Sequence, residues 1–362
     1  VKKNLTNNFS ILGSAGGVAK AILSIFNKSV QDTNDPIHPA IFNAKFHLID
    51  NNQKSMDHYK NLFPNLQDNL STYNFDLKDT SLFKEHLLNT QTTLVIDCSW
   101  ADTVDTLRIC DKLNIHYINT AFESTVVDED ESYEGFNLIE RYYIFERSKH
   151  DFKRSTAIIA SGMNPGVVQW MALELLKKSP DKKPLGCYIV EHDSSFFADK
   201  SLADKQTIYT TWSPECFLDE AISCYPMFLK HHMPLFLYEN AYDIEFKVSL
   251  GKRSFTGCLM PHEEAITLGK LFDMETGFIY KVNDHTSELI RANLDHIDDL
   301  WQWNMQVLDP AKVELEGEDL VGVLLVFDDT ERFMYNVLSN KEVFKKYKVN
   351  ATYFQVACGI YA

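Results

Sequence analysis

Carboxylates and one indole carry the most pointed chemistry in this chain of 362 residues. Cys187-Tyr188-Ile189-Val190 reads as a strand ending in Glu191-His192-Asp193, and strand ends are where an α/β fold presents ligand-contacting groups. Thr210-Thr211-Trp212-Ser213 follows, and Glu220 stands eight residues after the tryptophan. Together these suit an organic cation: the carboxylates supply charge, and the indole face attracts an ammonium through its quadrupole. A core tryptophan flanked by surface acids would give the same spacing.

The elements that would position such a site begin with residues 9–12, a short strand running into Gly13-Ser14-Ala15-Gly16-Gly17-Val18-Ala19 and then a helix over 20–27. The small residues at 13, 16 and 19 allow a tight turn, close approach of a phosphate and close packing of helix on strand. A second strand over 44–49 ends in Asp50, placed to accept hydrogen bonds from an adenosine ribose diol. An acid there favours NAD over NADP, because a 2′-phosphate would be repelled. Residues 29–39 read as an inserted loop.

Helices over 56–63, 82–88 and 103–113 alternate with strands over 93–96 and 116–118. These strands end in Asp97-Cys98-Ser99 and Asn119-Thr120-Ala121-Phe122-Glu123. The alternation predicts a Rossmann-type α/β fold, a doubly wound parallel sheet with polar strand ends lining a crevice; helix caps and turns would use the same residues. An acidic loop over 128–134 leads to a helix over 136–152. A strand over 157–160 precedes Asn164-Pro165-Gly166 and a helix over 167–177, with Asn164 as its cap and Pro165 at its first position. The Asn164 amide would also face the nicotinamide end of the crevice.

The remainder reads as a mixed α+β domain, with strands over 243–250, 254–259, 277–282 and 321–327 and a helix over 262–272. His231-His232 is a solvated turn, Trp301 and Trp303 pack from a helix over 294–306, and an apolar helix over 354–361 folds back on the first domain. The domains are therefore 1–160 for the dinucleotide, 161–345 for substrate and catalysis, and 346–362 as the returning helix.

A net charge of −16 argues against nucleic acid or an anionic membrane as partner. Apolar runs fall short of 18 residues, and Lys2-Lys3 precede no signal-like apolar stretch, so a cytoplasmic location is expected. Seven cysteines stand singly, with no C-x-x-C pair, which speaks for reduced thiols and against a metal site. A homodimer is the expected assembly, dimers being the commonest closed form.

Asp97-Cys98-Ser99, Asn119 to Glu123, Gly162-Met163-Asn164-Pro165-Gly166, Glu191-x-Asp193, Thr211-Trp212-Ser213 with Glu220, and His262-x-Glu264 occur in an order that resembles the bacterial homospermidine synthases of the saccharopine-dehydrogenase-like superfamily. Residues 318–327, 350–352 and 358–359 extend the resemblance over nearly the whole chain. It implies an enzyme that uses NAD as a recycled redox group to join two putrescines into homospermidine with loss of ammonia. It also implies roles: Trp212 as a platform for the cationic amine, Glu220 and Glu191 as binders or bases for ammonium groups, and His262 and Glu264 as a far pocket or proton relay. Asn164 and Glu123 would stand near the reacting carbon, and Gly13, Ser14, Gly16, Gly17, Val18, Asp50, Asp97, Ser99, Thr120 and Asn164 near the cofactor. The chain departs from the pattern at Ser161, Cys216 and Ser124-Thr125, where the family has histidine, glycine and tryptophan, and the family continues past the position of Ala362, which reads as C-terminal shortening. A net imine-reducing dehydrogenase of the saccharopine or carboxyspermidine type, and a Rossmann protein that binds its ligand without turnover, are the alternatives.

Overall fold

The computed structural model describes residues 7–362; residues 1–6, with Lys2 and Lys3, lie outside the described residues. The chain divides into two units, Val1–Val126 with Arg141–Gly162 and Val356–Ala362, and Val127–Glu140 with Met163–Gln355.

In the first unit, strands β1 (Asn8–Leu12), β2 (Lys45–Asp50), β3 (Leu70–Asn74), β4 (Leu94–Asp97), β5 (His116–Asn119) and β6 (Ala157–Ile158) form one sheet in the order β3-β2-β1-β4-β5-β6. All its pairings are parallel. This is the doubly wound Rossmann order, whose direction reverses between β1 and β4. The inner strands are near-continuous apolar runs because both faces of a parallel sheet are covered; Leu12, Ile49, Val95 and Tyr117 are buried with Phe83, Leu87 and Leu107 from the helices. Helix α1 (Gly17–Ser29) buries Ala19, Ile22, Leu23 and Phe26, and Ala19 gives the close helix packing its position predicts. The expected loop over 29–39 closes with a short helix, His38–Ile41. At the C-terminus, a Cβ on Gly359 would lie 2.0 Å from the Gly162 carbonyl oxygen, so only glycine allows that approach. Tyr361 Oη donates to Asp35 at 2.9 Å.

Beneath the sheet, His86 Nε2 lies 3.2 Å from Ser10 Oγ, and His47 Nδ1 lies 3.3 Å from Tyr73 Oη, while His47 Nε2 is buried without a partner. Burial, reinforced by the neighbouring His47, lowers His86 from 6.5 to about 4; burial and Lys45 lower His47 as well. Both rings are neutral above their unfolded value. Below it, the unfolded chain takes up protons that the native state refuses, so stability falls as pH drops from about 6.5 to about 4. Urea-unfolding midpoints measured from neutral to mildly acidic pH are expected to fall over this window, and His86→Gln to flatten the fall. An unchanged slope in the variant would remove His86 as its source.

The second unit is built on a mixed sheet that runs Met233–Phe236, Met227–Lys230, Glu275–Lys281, β7 (Gly186–Asp193), Glu318–Val326 and Glu331–Ser339, with Arg253–Met260 and Glu245–Leu250 joined to it through Glu275–Lys281. Strand β7 runs parallel to Glu275–Lys281 and antiparallel to Glu318–Val326. His231 and His232 form the turn of the Met227–Phe236 hairpin, with φ of 51° and 63°. The expected helix over 294–306 stops early: its helical turns end at Gln302, His296 breaks them with φ −140°, and Asn304–Val307 pairs as a strand with Thr207–Thr210. Strand pairing overrides the local helical pattern there, while Trp301 and Trp303 do pack against the core. All seven cysteines are free thiols, and among the described residues no helix is long and apolar enough to cross a membrane.

Candidate active site

In the first unit the sequence-predicted residues gather where the parallel strands end. Gly13 adopts φ +68°, and a Cβ there would lie 2.5 Å from the Cys98 carbonyl oxygen, so the turns after β1 and β4 meet backbone to backbone. Ser14 N donates to Ile49 O at 3.1 Å, and Ala15 N to Asp50 Oδ2 at 2.9 Å. Gly16 is the N-cap of α1 and offers no side-chain cap, which leaves the first-turn N–H groups, Gly17 and Val18 included, free of a side-chain acceptor. Ser14 Oγ is turned inward to Gln53 and Tyr59.

Asp97 also points inward. Its Oδ1 accepts from Ser99 N and Oγ at 2.9 and 2.6 Å, and its Oδ2 from Tyr117 Oη at 2.8 Å. Burial raises its pKa despite these bonds. Asn119 is committed likewise, donating to Ala121 O and accepting from Ala160 N. Thr120 and Glu123 are half-buried on the following turn, where Glu123 N donates to Thr103 Oγ1.

In the second unit, β7 delivers Glu191 and Asp193, one residue apart on the same face. Asp319 faces Asp193 directly across the sheet, and both are fully buried. Asn164 does not cap the following helix as expected. Gly166, at φ 130°, holds the N-cap position with Val167 as the first helical residue, so Pro165 lies outside. Asn164 Nδ2 instead donates to Glu191 Oε2 at 2.5 Å. A carboxylate on the neighbouring strand outcompetes the helix end for that amide. Burial, then the Asp319 charge, push Glu191 well up, against the Asn164 bond; burial, then Asp193, push Asp319 up.

The backbone around Trp212 is held by several side chains, and Trp212 itself is half-buried. Thr210 Oγ1 donates to its carbonyl at 2.6 Å, Asn350 Nδ2 donates to Thr211 O at 2.7 Å, and Thr211 Oγ1 bridges Asp193 and Thr352. Ser213 then caps the short helix Pro214–Leu218. Trp212 Nε1 donates to Tyr280 Oη at 3.2 Å; Tyr280 stacks on Phe278 at 5.7 Å, and Phe278 meets the His262 ring at 4.3 Å. Tyr280 is also the register partner of Glu191. This row of rings joins the Glu191–Asp193–Asp319 group to a second acidic group.

That second group is Glu220, Glu263 and Glu264 around His262. Glu220 sits in a π-helical turn, Asp219–Ser223, a distortion common at functional sites. His262 is the N-cap of the helix Glu263–Leu271, and its Nδ1 bonds to Glu264 Oε2. Burial alone would lower His262, but the carboxylates of Glu264, Glu220 and Glu263 outweigh it and raise the ring to about 10. Burial, opposed by His262 and reinforced by Glu263, raises Glu220 to about 8. Three carboxylate oxygens of the unit, Glu220 Oε2, Glu264 Oε1 and Asp319 Oδ1, are buried with no hydrogen-bond partner. Orphaned buried acceptors are costly and mark places where a donor belongs.

His262, Glu263 and Glu264 have metal-ligand atoms within 4.8 Å of one another, yet Glu264 already spends one oxygen on the ring. Of the site's residues, sequence reasoning left out Tyr280 and gave no role to Asp319 or the Asn350–Thr352 anchor, which it noted only as extending the resemblance. An aspartate within the apolar run of Glu318–Val326 was the signal for Asp319.

No family model matches the chain, and no curated protein sequence does. Among solved structures, the fold is similar to that of a homospermidine synthase from Legionella pneumophila in complex with NAD, with TM-score 0.73 and 17% identity over 99% of this chain and 83% of that one. It is also similar to apo saccharopine dehydrogenase (L-Glu forming) from Saccharomyces cerevisiae, with TM-score 0.56 and 9% identity over 98% and 89% of the two chains. At these identities the likeness establishes a shared two-part α/β fold.

Proposed function

We propose that the chain binds NAD on its first unit and a diamine on its second, and catalyses homospermidine-synthase-type aminobutyl transfer. The observation that carries the reading is the pair of orphaned oxygens, Glu220 Oε2 and Glu264 Oε1, in a buried acidic group joined through rings to Trp212. Ammonium groups supply what these oxygens lack, and the indole accommodates positive charge. The first unit fits NAD: the glycine turn meets the strand β4 turn without a side chain between, α1 starts uncapped, and Asp50 closes β2.

Bound NAD would supply a reversible hydride acceptor. Glu220 and Glu191 hold the substrate ammonium groups and take the proton an amine must lose before it reacts. Asn164 fixes the Glu191 carboxylate through its amide. Trp212 faces the transient cationic carbon, and His262, paired with Glu264, holds a proton within the far group. Glu123 is the acid on the first unit. In sum, two putrescines give homospermidine and ammonia, and the hydride taken from the first amine returns to the new bond.

Purified protein given NAD⁺ and putrescine should release ammonia and homospermidine in equal amounts, with NAD⁺ catalytic and no lasting NADH. Trp212→Ala should remove most of this turnover. NADH accumulating in step with substrate consumption would point to a net dehydrogenase, and NAD binding without product to a ligand-binding protein.

A further inference from the structure

Away from the acidic site, the second unit carries a groove of about 550 Å³ lined by Pro310, Lys312, Val313, Leu315, Lys341, Phe344 and Lys345, with Ala311, Glu314 and Asn340 completing the wall. Its volume falls within the range of small-molecule pockets. Its charge runs against that of the chain. On a protein of net −16 its wall presents three lysines and one glutamate; on the same segment Lys346 and Lys348 lie just beyond, with Glu342 as the one acid among them.

These lysines are barely neutralised. Lys341 approaches Glu314 only to 3.9 Å with both side chains in solvent, and among the described residues Lys312 and Lys345 make no ion pair. The helix Asn340–Tyr347 begins in the groove, and its N-cap Ser339 makes no side-chain cap; Glu342 in its first turn and the bond from Asn340 N to Gly317 O offset the positive end of the helix, so the lysines carry the charge of the groove. Pro310, Val313, Leu315 and the Phe344 ring supply an apolar floor between the cations.

The wall is preorganised. Asn340 is buried, donates from Nδ2 to Ser195 Oγ at 2.6 Å and accepts from Ala351 N at 3.0 Å. Leu315 is buried in a strand pair with Phe197. Rigid support of this kind lowers the ordering cost of binding.

We propose that this groove binds a small organic phosphate with a flat apolar body. Lysine ammonium groups act as point charges that suit a phosphate dianion, and the Phe344 side of the groove suits a planar ring. The site does not depend on the reading of the acidic cluster, and its test does not require turnover.

Phenyl phosphate titrated calorimetrically into the full chain should bind with a Kd of about 1 mM or tighter. The double variant Lys341→Glu/Lys345→Glu should weaken it at least about tenfold, with an unchanged melting temperature because both side chains are exposed. Inorganic phosphate should bind at least about tenfold more weakly than phenyl phosphate. The proposal is overturned by an absence of binding up to roughly 10 mM, by undiminished affinity in the variant, or by equal affinity for inorganic phosphate.

Discussion

Glu220→Gln is expected to weaken putrescine binding by about 100-fold or more while leaving NAD affinity within about twofold. The size follows from where the carboxylate sits. An ammonium group brought to a buried acid with an unused oxygen gains a charge-assisted hydrogen bond in a medium that screens poorly. The amide keeps the shape and loses the charge. Stability at neutral pH should hardly change, because burial raises Glu220 to about 8 and the free protein therefore carries it mostly protonated.

The same shift fixes the pH dependence. The ammonium binds the ionised acid, so below about 8 binding must displace one proton from Glu220, and each unit of pH lost costs about tenfold in affinity. Above that value Glu220 adds no further slope, and what slope remains comes from Glu191, which burial and Asp319 push well up, until the amine itself deprotonates, near the lysine range of about 10.4. His262, raised to about 10, stays protonated through most of this window and adds little to the slope. Calorimetry across pH, in buffers of differing ionisation enthalpy, should show proton release below about 8 in the parent and a smaller release in Glu220→Gln, the remainder coming from Glu191, which burial also pushes up. A pH-independent affinity in the parent would remove Glu220 as the amine's counter-ion.

Much of the scaffold is legible in the sequence because it rests on local signals. The glycine turn, the apolar inner strands and the acidic ends of β2 and β7 are set by chain conformation and burial, which leave composition behind them. What escapes is decided over distance. Strand β3, Leu70–Asn74, is an edge strand with a half-buried, polar middle, and its sequence carries no strand signal strong enough to assign it. Asn164 sits in an Asn-Pro-Gly sequence that locally matches a helix cap, yet its amide goes to Glu191, a partner only the fold can bring near. Asp97 and Asn119 stand at strand ends as expected, but their side chains are spent on the turns that shape the crevice. Asp319 becomes a site residue only through cross-strand pairing with Asp193.

Gly13→Ala is expected to disrupt the first unit, whereas Gly16→Ala should spare the fold and impair the cofactor. At Gly13 two penalties combine. A left-handed φ of +68° strains any L side chain, and the added methyl would meet Cys98 O at 2.5 Å, Cys98 C at 2.8 Å and Ser99 N at 2.9 Å. These neighbours are backbone atoms held by Asp97 and its bonds to Ser99 and Tyr117, so they cannot swing aside as a flexible side chain would. A loss of about 3 kcal/mol or more and a melting temperature lower by several degrees are expected. Gly16 differs in kind: its φ of −77° is open to alanine, and its nearest contact would be Gly13 O at 3.1 Å. Alanine there should leave the melting temperature within about 2 °C and reduce NAD affinity by about tenfold or more, since the methyl projects from the turn where a pyrophosphate must approach the α1 amides. Melting curves and NAD titrations on both variants separate the two roles. Normal NAD binding by Gly16→Ala would mean that the turn serves only to pack β1 against β4, and that the phosphates lie elsewhere.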